Sequence, residues 1–348
     1  MPLKLDFKDG YLYFLNRRIT ATEKNMHAKT KIIIDTDPGI DDAIALFMAM
    51  ADPDLEILGI TAVNGNVSVD KAEYNIRRIC DFAWHTGIPV YKGCDRPLKR
   101  SVLNAEWVHG SDGLAGLDFG DPTYKGEQEN AVDFIIKTLM KSFEKEISLV
   151  AIGPLTNIAT AFLKEPKIVS RIRELIIMGG GFCEDGPRGN STPYAEFNML
   201  ADPHAAEIVF DMAERVTVIP MEVGMQAEAD AVFLEKMRDL NTRCAAISAD
   251  MLDITAKTLS AHLAKTSKTG TAPEKGTSLY DPCAVGCLIR PALFSGRYGT
   301  VQVNTDSNDE KFGMTTFEEG NKRNCLVTHK VDKDAFKKML LMHLADLP

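Results

Sequence analysis

Four aspartates crowd into the run KIIIDTDPGIDDAIALFMAM, which spans Lys31 to Met50: Asp35, Asp37, Asp41 and Asp42. Carboxylates this close repel one another unless something offsets their charge. From the residues alone, two offsets are open. The first is local: Asp41 and Asp42 stand where a first helical turn favours negative charge, and Asp37 suits a turn. The second is a bound hard cation, because calcium and magnesium take carboxylate and carbonyl oxygens as ligands. The local offset does not account for Asp35 and Asp37. They follow directly on the apolar run of Ile32, Ile33 and Ile34, where desolvating a carboxylate is costly.

Other parts of the chain carry residues of similar promise. Asn66 lies in an Asn-Gly-Asn turn, His109 in VHGSDGL, and Asp281 in YDPCA. Alone, Asn66 has an ordinary reading as a turn residue, and His109 as an exposed or structural histidine. Asp202-Pro203 reads as a helix N-cap followed by its first residue.

Taken together, these stretches resemble one family. DTDPGIDDA is similar to the N-terminal signature DxDPGxDD of the inosine–uridine-preferring nucleoside hydrolases. VHGSDGL resembles that family's VHGxxGL loop, and ISLVAIGPLTNIA its central strand and the GPLTN motif after it. MGGGFCEDGPRGNSTPYAEFNMLADPHAAEIVF, from Met178 to Phe210, matches a further segment nearly end to end. Five separated segments match in order between about Lys31 and Leu347, including the C-terminal EEGNKRNCLVTHKVDKDAF region.

The resemblance implies hydrolysis of the N-glycosidic bond of a small-molecule ribonucleoside, giving ribose and free base. It implies calcium held by Asp37, Asp42, Asp281 and the backbone carbonyl of Ile152, with a water and the ribose 2′- and 3′-hydroxyls completing the shell. The ion lowers the pKa of that water, and Asp37 takes its proton as general base. Asp41 and Asn198 then hold the ribose hydroxyls, Asn190 and Glu196 the 5′-hydroxyl, and Asn66 faces the ribose. His109 lies near the leaving base, and Asp35 orients the loop. The family also implies a homodimer or homotetramer. Two positions depart from the pattern. Tyr280 stands where many members carry a histidine that protonates the leaving base, and a phenol of pKa about 10 is a poorer acid at neutral pH. His204 stands where the family often has Glu, and it reads as surface.

Two rivals remain. A phosphatase of the haloacid dehalogenase type also places a DxDx[TV] motif after a buried strand, but Gly39 stands where that motif needs Thr or Val. A non-catalytic binding protein for ribosylated ligands would keep the fold and lose the chemistry; the complete acidic set argues against it.

The elements that must position these residues read as repeated strand–helix units. Ile32 to Ile34 form a buried strand, Pro38 and Gly39 turn the chain, and Ile40, Ile44, Phe47 and Met48 recur at helical spacing. Strands follow at 55–63, 88–91, 147–152, 174–178 and 216–221. Helices follow at 69–82, 131–143, 156–163, 203–212 and 250–264. This order predicts one α/β domain with a mostly parallel central sheet, helices on both faces and a Rossmann-like core. Ligands of such sheets sit at the strand carboxyl ends. Two long stretches, 107–128 and 266–278, read as loops beside the site.

Composition sets the remaining bounds. The chain has 348 residues, 45% hydrophobic, with a net charge of −9. That charge offers no footprint for nucleic acid, and no apolar run approaches the roughly 18 residues needed to cross a bilayer. Seven cysteines without a CxxC pair fit reduced thiols in a cytoplasmic protein. Residues 1–30 lack the apolar core of a signal peptide and read as an extension of unassigned role. Tyr11 to Leu15 could form a short strand, and residues 31–348 form the hydrolase domain.

Overall fold

In the computed structural model, which describes residues 28–183, 188–266, 276–320 and 325–348, the isoleucine run forms the middle of strand β1 (Thr30–Thr36). The expected strand at 11–15 and most of the expected loop at 266–278 lie outside those residues. Side chains alternate across a strand, so Ile32 and Ile34 enter one hydrophobic core while Ile33 enters another. A strand buried on both faces needs helices on both faces.

Those helices are present. On the first face lie α1 (Ile40–Ala51), α2 (Val69–Phe82), α11 (Tyr280–Ile289) and α12 (Lys333–Ala345); on the second lie α4 (Ala131–Lys141), α5 (Thr156–Lys164) and α7 (Pro203–Met212). Between them in sequence come the short helices α3 (Glu106–His109), α6 (Phe197–Ala201) and α8 (Met221–Gln226), then α9 (Ala231–Arg238) and α10 (Arg243–Thr266).

The remaining strands are β2 (Leu55–Ala62), β3 (Val90–Lys92), β4 (Ile147–Ala151), β5 (Ile172–Met178), β6 (Val216–Ile219), β7 (Phe294–Val303), β8 (Thr315–Glu319) and β9 (Cys325–Val331). The sheet order is β3-β2-β1-β4-β5-β6-β9-β7-β8. Pairing is parallel from β3 through β9, and β7 runs antiparallel to both β9 and β8. The single α/β domain expected from sequence is therefore what forms, with an antiparallel edge added. From β1 the chain builds outward to β3, then returns to β4 on the other flank of β1. That reversal is the topological switch point, and open α/β sheets bind their ligands in the crevice it leaves.

Several boundaries differ from the sequence reading by one or more residues, and one of them has a readable cause. The strand expected at 216–221 ends at Ile219, because Pro220 has no N–H for a ladder and caps α8 instead. The helix expected at 250–264 begins earlier, at Arg243. Among the described residues, no helix is long and apolar enough to cross a membrane.

The last helix is tied to the first by a half-buried pair. His343 Nε2 lies 3.0 Å from Asp52 Oδ2, and His343 Nδ1 lies 2.8 Å from the Met339 carbonyl. Both neighbours are acceptors, so only the doubly protonated ring satisfies both. Burial pulls the His343 pKa down, but Asp52 and the Met339 carbonyl outweigh it and the value ends above 6.5. A raised folded-state value stabilises the fold fully below the unfolded value and loses that contribution as pH rises through the folded value. Unfolding midpoints in denaturant should therefore fall as pH rises past the ordinary histidine range, and His343→Asn should flatten that part of the profile.

Candidate active site

β1 ends at Thr36, and Asp37-Pro38-Gly39 turns the chain into α1. Asp42 sits in the first turn of α1 and reaches back. Its Oδ2 accepts the Gly39 N–H at 2.8 Å, and its Oδ1 accepts the Thr36 hydroxyl at 2.5 Å. The turn after β2 adds a clamp. The Asn66 backbone N–H donates to Asp37 Oδ2 at 2.6 Å, and Asn66 Nδ2 donates to Asp42 Oδ2 at 3.2 Å. Asn66, expected to face the ribose, thus also fixes two carboxylates.

Asp37 is fully buried between the turns that follow β2 and β4. A Cβ on Gly153 would stand 2.5 Å from Asp37 Oδ1, and one on Gly65 would collide with Oδ2. Glycine is what lets both backbones approach the carboxylate. Oδ2 is satisfied by Asn66, whereas Oδ1 is buried with no hydrogen-bond partner.

Asp281 arrives from the far end of the chain, in the first turn of α11. One carboxylate oxygen each from Asp41, Asp42 and Asp281 lie within 4.8 Å of one another. The Asp281 backbone N–H also donates to the Asp41 carboxylate. Two helix N-termini therefore face each other, each lending partial positive charge. Asp37 is not in that tightest triple; it adjoins it through Asn66 and Asp42.

The electrostatics require a further offset. Burial first, and then the charge of Asp42, push Asp37 well above the usual carboxylate range. Burial, and then Asp41, Asp42 and Asp37, do the same to Asp281. Burial and Asp42 raise Asp41 to about 7. Such a set cannot all be ionised unaided. An orphaned carboxylate oxygen beside three converging carboxylates fits a divalent cation with hard oxygen ligands.

The wall beyond β4 and β5 is built around Asn198. Its Nδ2 donates to the Ile152 carbonyl at 3.0 Å and to the Met178 carbonyl at 3.2 Å. Ile152 thus lies at the crevice, with one of its carbonyl lone pairs taken. Glu196 caps α6 and is buried. It accepts the N–H groups of Asn198, Met199 and Gly180 at 2.9, 3.1 and 3.0 Å. Asn190 is exposed, and its Oδ1 accepts the Phe197 N–H at 2.9 Å.

On the remaining side, His109 Nδ1 accepts the N–H of Ile40, the first residue of α1, at 3.1 Å. The ring hydrogen then resides on Nε2. Burial lowers the His109 pKa to about 4 against the pull of Asp42, so the ring is neutral at neutral pH. Its Nε2–H is able to donate a hydrogen bond, but the ring holds no spare proton. Tyr280 opens α11. Burial raises its phenol above 10.0 despite a hydrogen bond with Ser278, and Asp41 and Glu196 add to the rise.

Several supporting residues went unread in the sequence. Asn157, the last residue of GPLTN, donates to Asp35 Oδ1 at 2.7 Å and to the Ala62 carbonyl at 3.0 Å, and accepts the Cys94 N–H. It binds the ends of β1, β2 and β3 to α5. Asp35 accepts Thr61 and Asn157 on Oδ1 and is raised to about 7 by burial. Thr156, one reading of which was a helix cap, lies inside α5 and donates to Asp202 instead. Asp202 does cap α7, accepting the Ala205 N–H, and also holds Leu98. His204 is not a plain surface residue: it is half-buried, with its ring against Phe312.

Comparison with known proteins agrees with this geometry. The family profile described as inosine-uridine preferring nucleoside hydrolase matches residues 32–338. The chain is 38% identical to the inosine-uridine preferring nucleoside hydrolase of Leishmania major, over 88% of this chain and 94% of that one. It is 36% identical to the pyrimidine-specific ribonucleoside hydrolase of Salmonella typhimurium, over 90% and 97%. Among solved structures, the purine-preferring ribonucleoside hydrolase from Gardnerella vaginalis superposes with a TM-score of 0.80 at 30% identity, covering 90% of this chain and 98% of that one. Neither the phosphatase nor the non-catalytic reading finds support in these matches. With the profile spanning nearly the whole sheet and the acidic crevice at its switch point, the chain belongs to the inosine-uridine preferring nucleoside hydrolase family and is a hydrolase of N-glycosyl compounds.

Proposed function

We propose that the chain hydrolyses ribonucleosides to ribose and free base with calcium as its ion, held by Asp37, Asp42, Asp281 and the Ile152 carbonyl. The observation that carries this is the arrival of Asp281 beside Asp41 and Asp42, next to the unpartnered Asp37 Oδ1. When bound, the ion supplies the charge that offsets the carboxylates and makes a water more acidic.

The protein's own groups do the rest. Asp37 takes the proton of the attacking water at Oδ1 while Asn66 holds Oδ2 still. The water oxygen bonds to C1′ as the bond from C1′ to the base nitrogen breaks, the base leaves with that electron pair and takes up a proton from solvent, and the nearby carboxylates stabilise the oxocarbenium character that develops. Asp41 and Asn198 hold the ribose hydroxyls. Asn198 Nδ2 is committed to two carbonyls, so its Oδ1 accepts from the sugar. Glu196 and Asn190 border the 5′-hydroxyl, and their bonds to the α6 backbone set that edge. His109 and Tyr280 face the leaving base as hydrogen-bond donors.

Residues 31–348 make up the hydrolase unit, and residues 1–30 carry no assigned role. The reduced cysteines suit the cytoplasm, and we expect a homodimer or homotetramer.

A turnover panel tests the reading. Inosine, uridine and nicotinamide riboside are incubated with purified protein and calcium, and free base and ribose are quantified. Release of both from at least one nucleoside is expected. Tight binding without release would make the protein a binder, and phosphate release from a nucleotide in its place would restore the phosphatase reading.

A further inference from the structure

Helix α8 carries a glycine in its interior, Gly224, which is buried. An interior helical glycine is less stable than alanine, so its presence asks what a side chain there would meet. A Cβ on Gly224 would collide with Cδ1 of Tyr280, lie 2.9 Å from Tyr280 Cα and 3.2 Å from Tyr280 Cε1. The deepest of these approaches, and two of the three, are to the phenol ring. The Cδ1–Cε1 edge of the ring therefore lies against bare backbone, in a slot that exists because position 224 has no side chain. The next residue on that turn is Asp281.

We propose that Gly224 is a specificity-determining position for this hydrolase: by leaving a slot for the Tyr280 ring, it sets the width of the wall facing the leaving base. This rests on the reading that Tyr280 borders the leaving group. Any side chain at 224 pushes the ring out of its slot and into the space the base occupies. The larger base loses more of that space, so purine ribosides suffer before pyrimidine ribosides. The glycine acts through Tyr280 and touches no substrate, which makes it a positioning residue.

A mutant cycle reads this directly. Gly224→Ala is made in the wild type, in Tyr280→Phe and in Tyr280→Ala, and kcat/KM is measured for inosine and uridine. With the ring present, in the wild type and in Tyr280→Phe, Gly224→Ala should lower kcat/KM for inosine about tenfold and shift the inosine-to-uridine ratio by about threefold. In Tyr280→Ala the same substitution should cost less than about twofold, because only the crowding against the backbone at position 280 remains to be relieved. Equal losses in all three backgrounds, or equal losses for both substrates, would overturn the proposal. Thermal unfolding of the same four alanine-cycle proteins separates this from failure of the activity itself. Gly224→Ala should lower Tm in the wild type and lower it by clearly less in Tyr280→Ala, where only the approach to the position-280 backbone remains, whether or not any nucleoside is turned over. A fall of equal size in both backgrounds would also overturn it.

Discussion

Asp37→Ala should lower kcat by about three orders of magnitude or more, the upper part of the range for a lost general base, while leaving the protein folded. The two halves of that expectation have separate causes. Of the two Asp37 oxygens, Oδ1 is the one buried without a hydrogen-bond partner, so it is the one free to take a proton. Removing the carboxylate strands the Asn66 N–H, at a cost of about 1–3 kcal/mol. It also removes one of the charges that burial and Asp42 already disfavour, and the two effects oppose each other. Steady-state kinetics alongside thermal unfolding checks both halves. Wild-type turnover in the variant would remove the mechanism, and loss of folding would make the kinetic result uninformative about chemistry, which the Tm reveals at once.

The second large effect concerns Asp281. In protein stripped with a chelator, Asp41, Asp42 and Asp281 face one another at short range, and burial and their mutual charge hold Asp281 well above its ordinary value. Calcium at about a hundred times its dissociation constant should then stabilise the wild type by about 2.7 kcal/mol, a rise of several degrees in Tm. Asp281→Asn should do three things together. It should leave the stripped protein at least as stable as stripped wild type, abolish the calcium-dependent rise, and reduce turnover by orders of magnitude. Differential scanning fluorimetry with and without calcium reads the first two. A variant that keeps the full calcium shift would show that Asp281 is not part of the ion's shell.

The central strand, the acidic turn and α1 were legible because local pattern and burial agree there: three isoleucines, a Pro-Gly break and apolar residues at helical spacing. The antiparallel edge was not. β7 carries a register shift between Ser295 and Gly296 and has glycines at 296 and 299 where apolar side chains would mark a face, so its sequence carries no clean period. Pro220 was a readable strand terminator that the sequence reading passed over. In the site, residue types marked Asp37, Asp41, Asp42 and Asp281, but distance in sequence hid their convergence until the family resemblance supplied it. The second tasks of Asn66, Asn198 and Glu196 were invisible for another reason. Their partners are backbone N–H and carbonyl groups, and no residue identity encodes where those groups end up. Asn157 had a readable signal, an amide in the helical turn just after a glycine-proline break that follows a buried strand, yet nothing in that signal named Asp35 as its partner.

The account stands or falls on whether the separated aspartates hold one ion. Crystals grown with calcium, measured with anomalous scattering, decide it. The account predicts a single strong peak within about 2.3–2.6 Å of carboxylate oxygens from Asp37, Asp42 and Asp281 and of the Ile152 carbonyl. An active protein whose crystals show no peak there, or whose calcium sits away from those four residues, would contradict it.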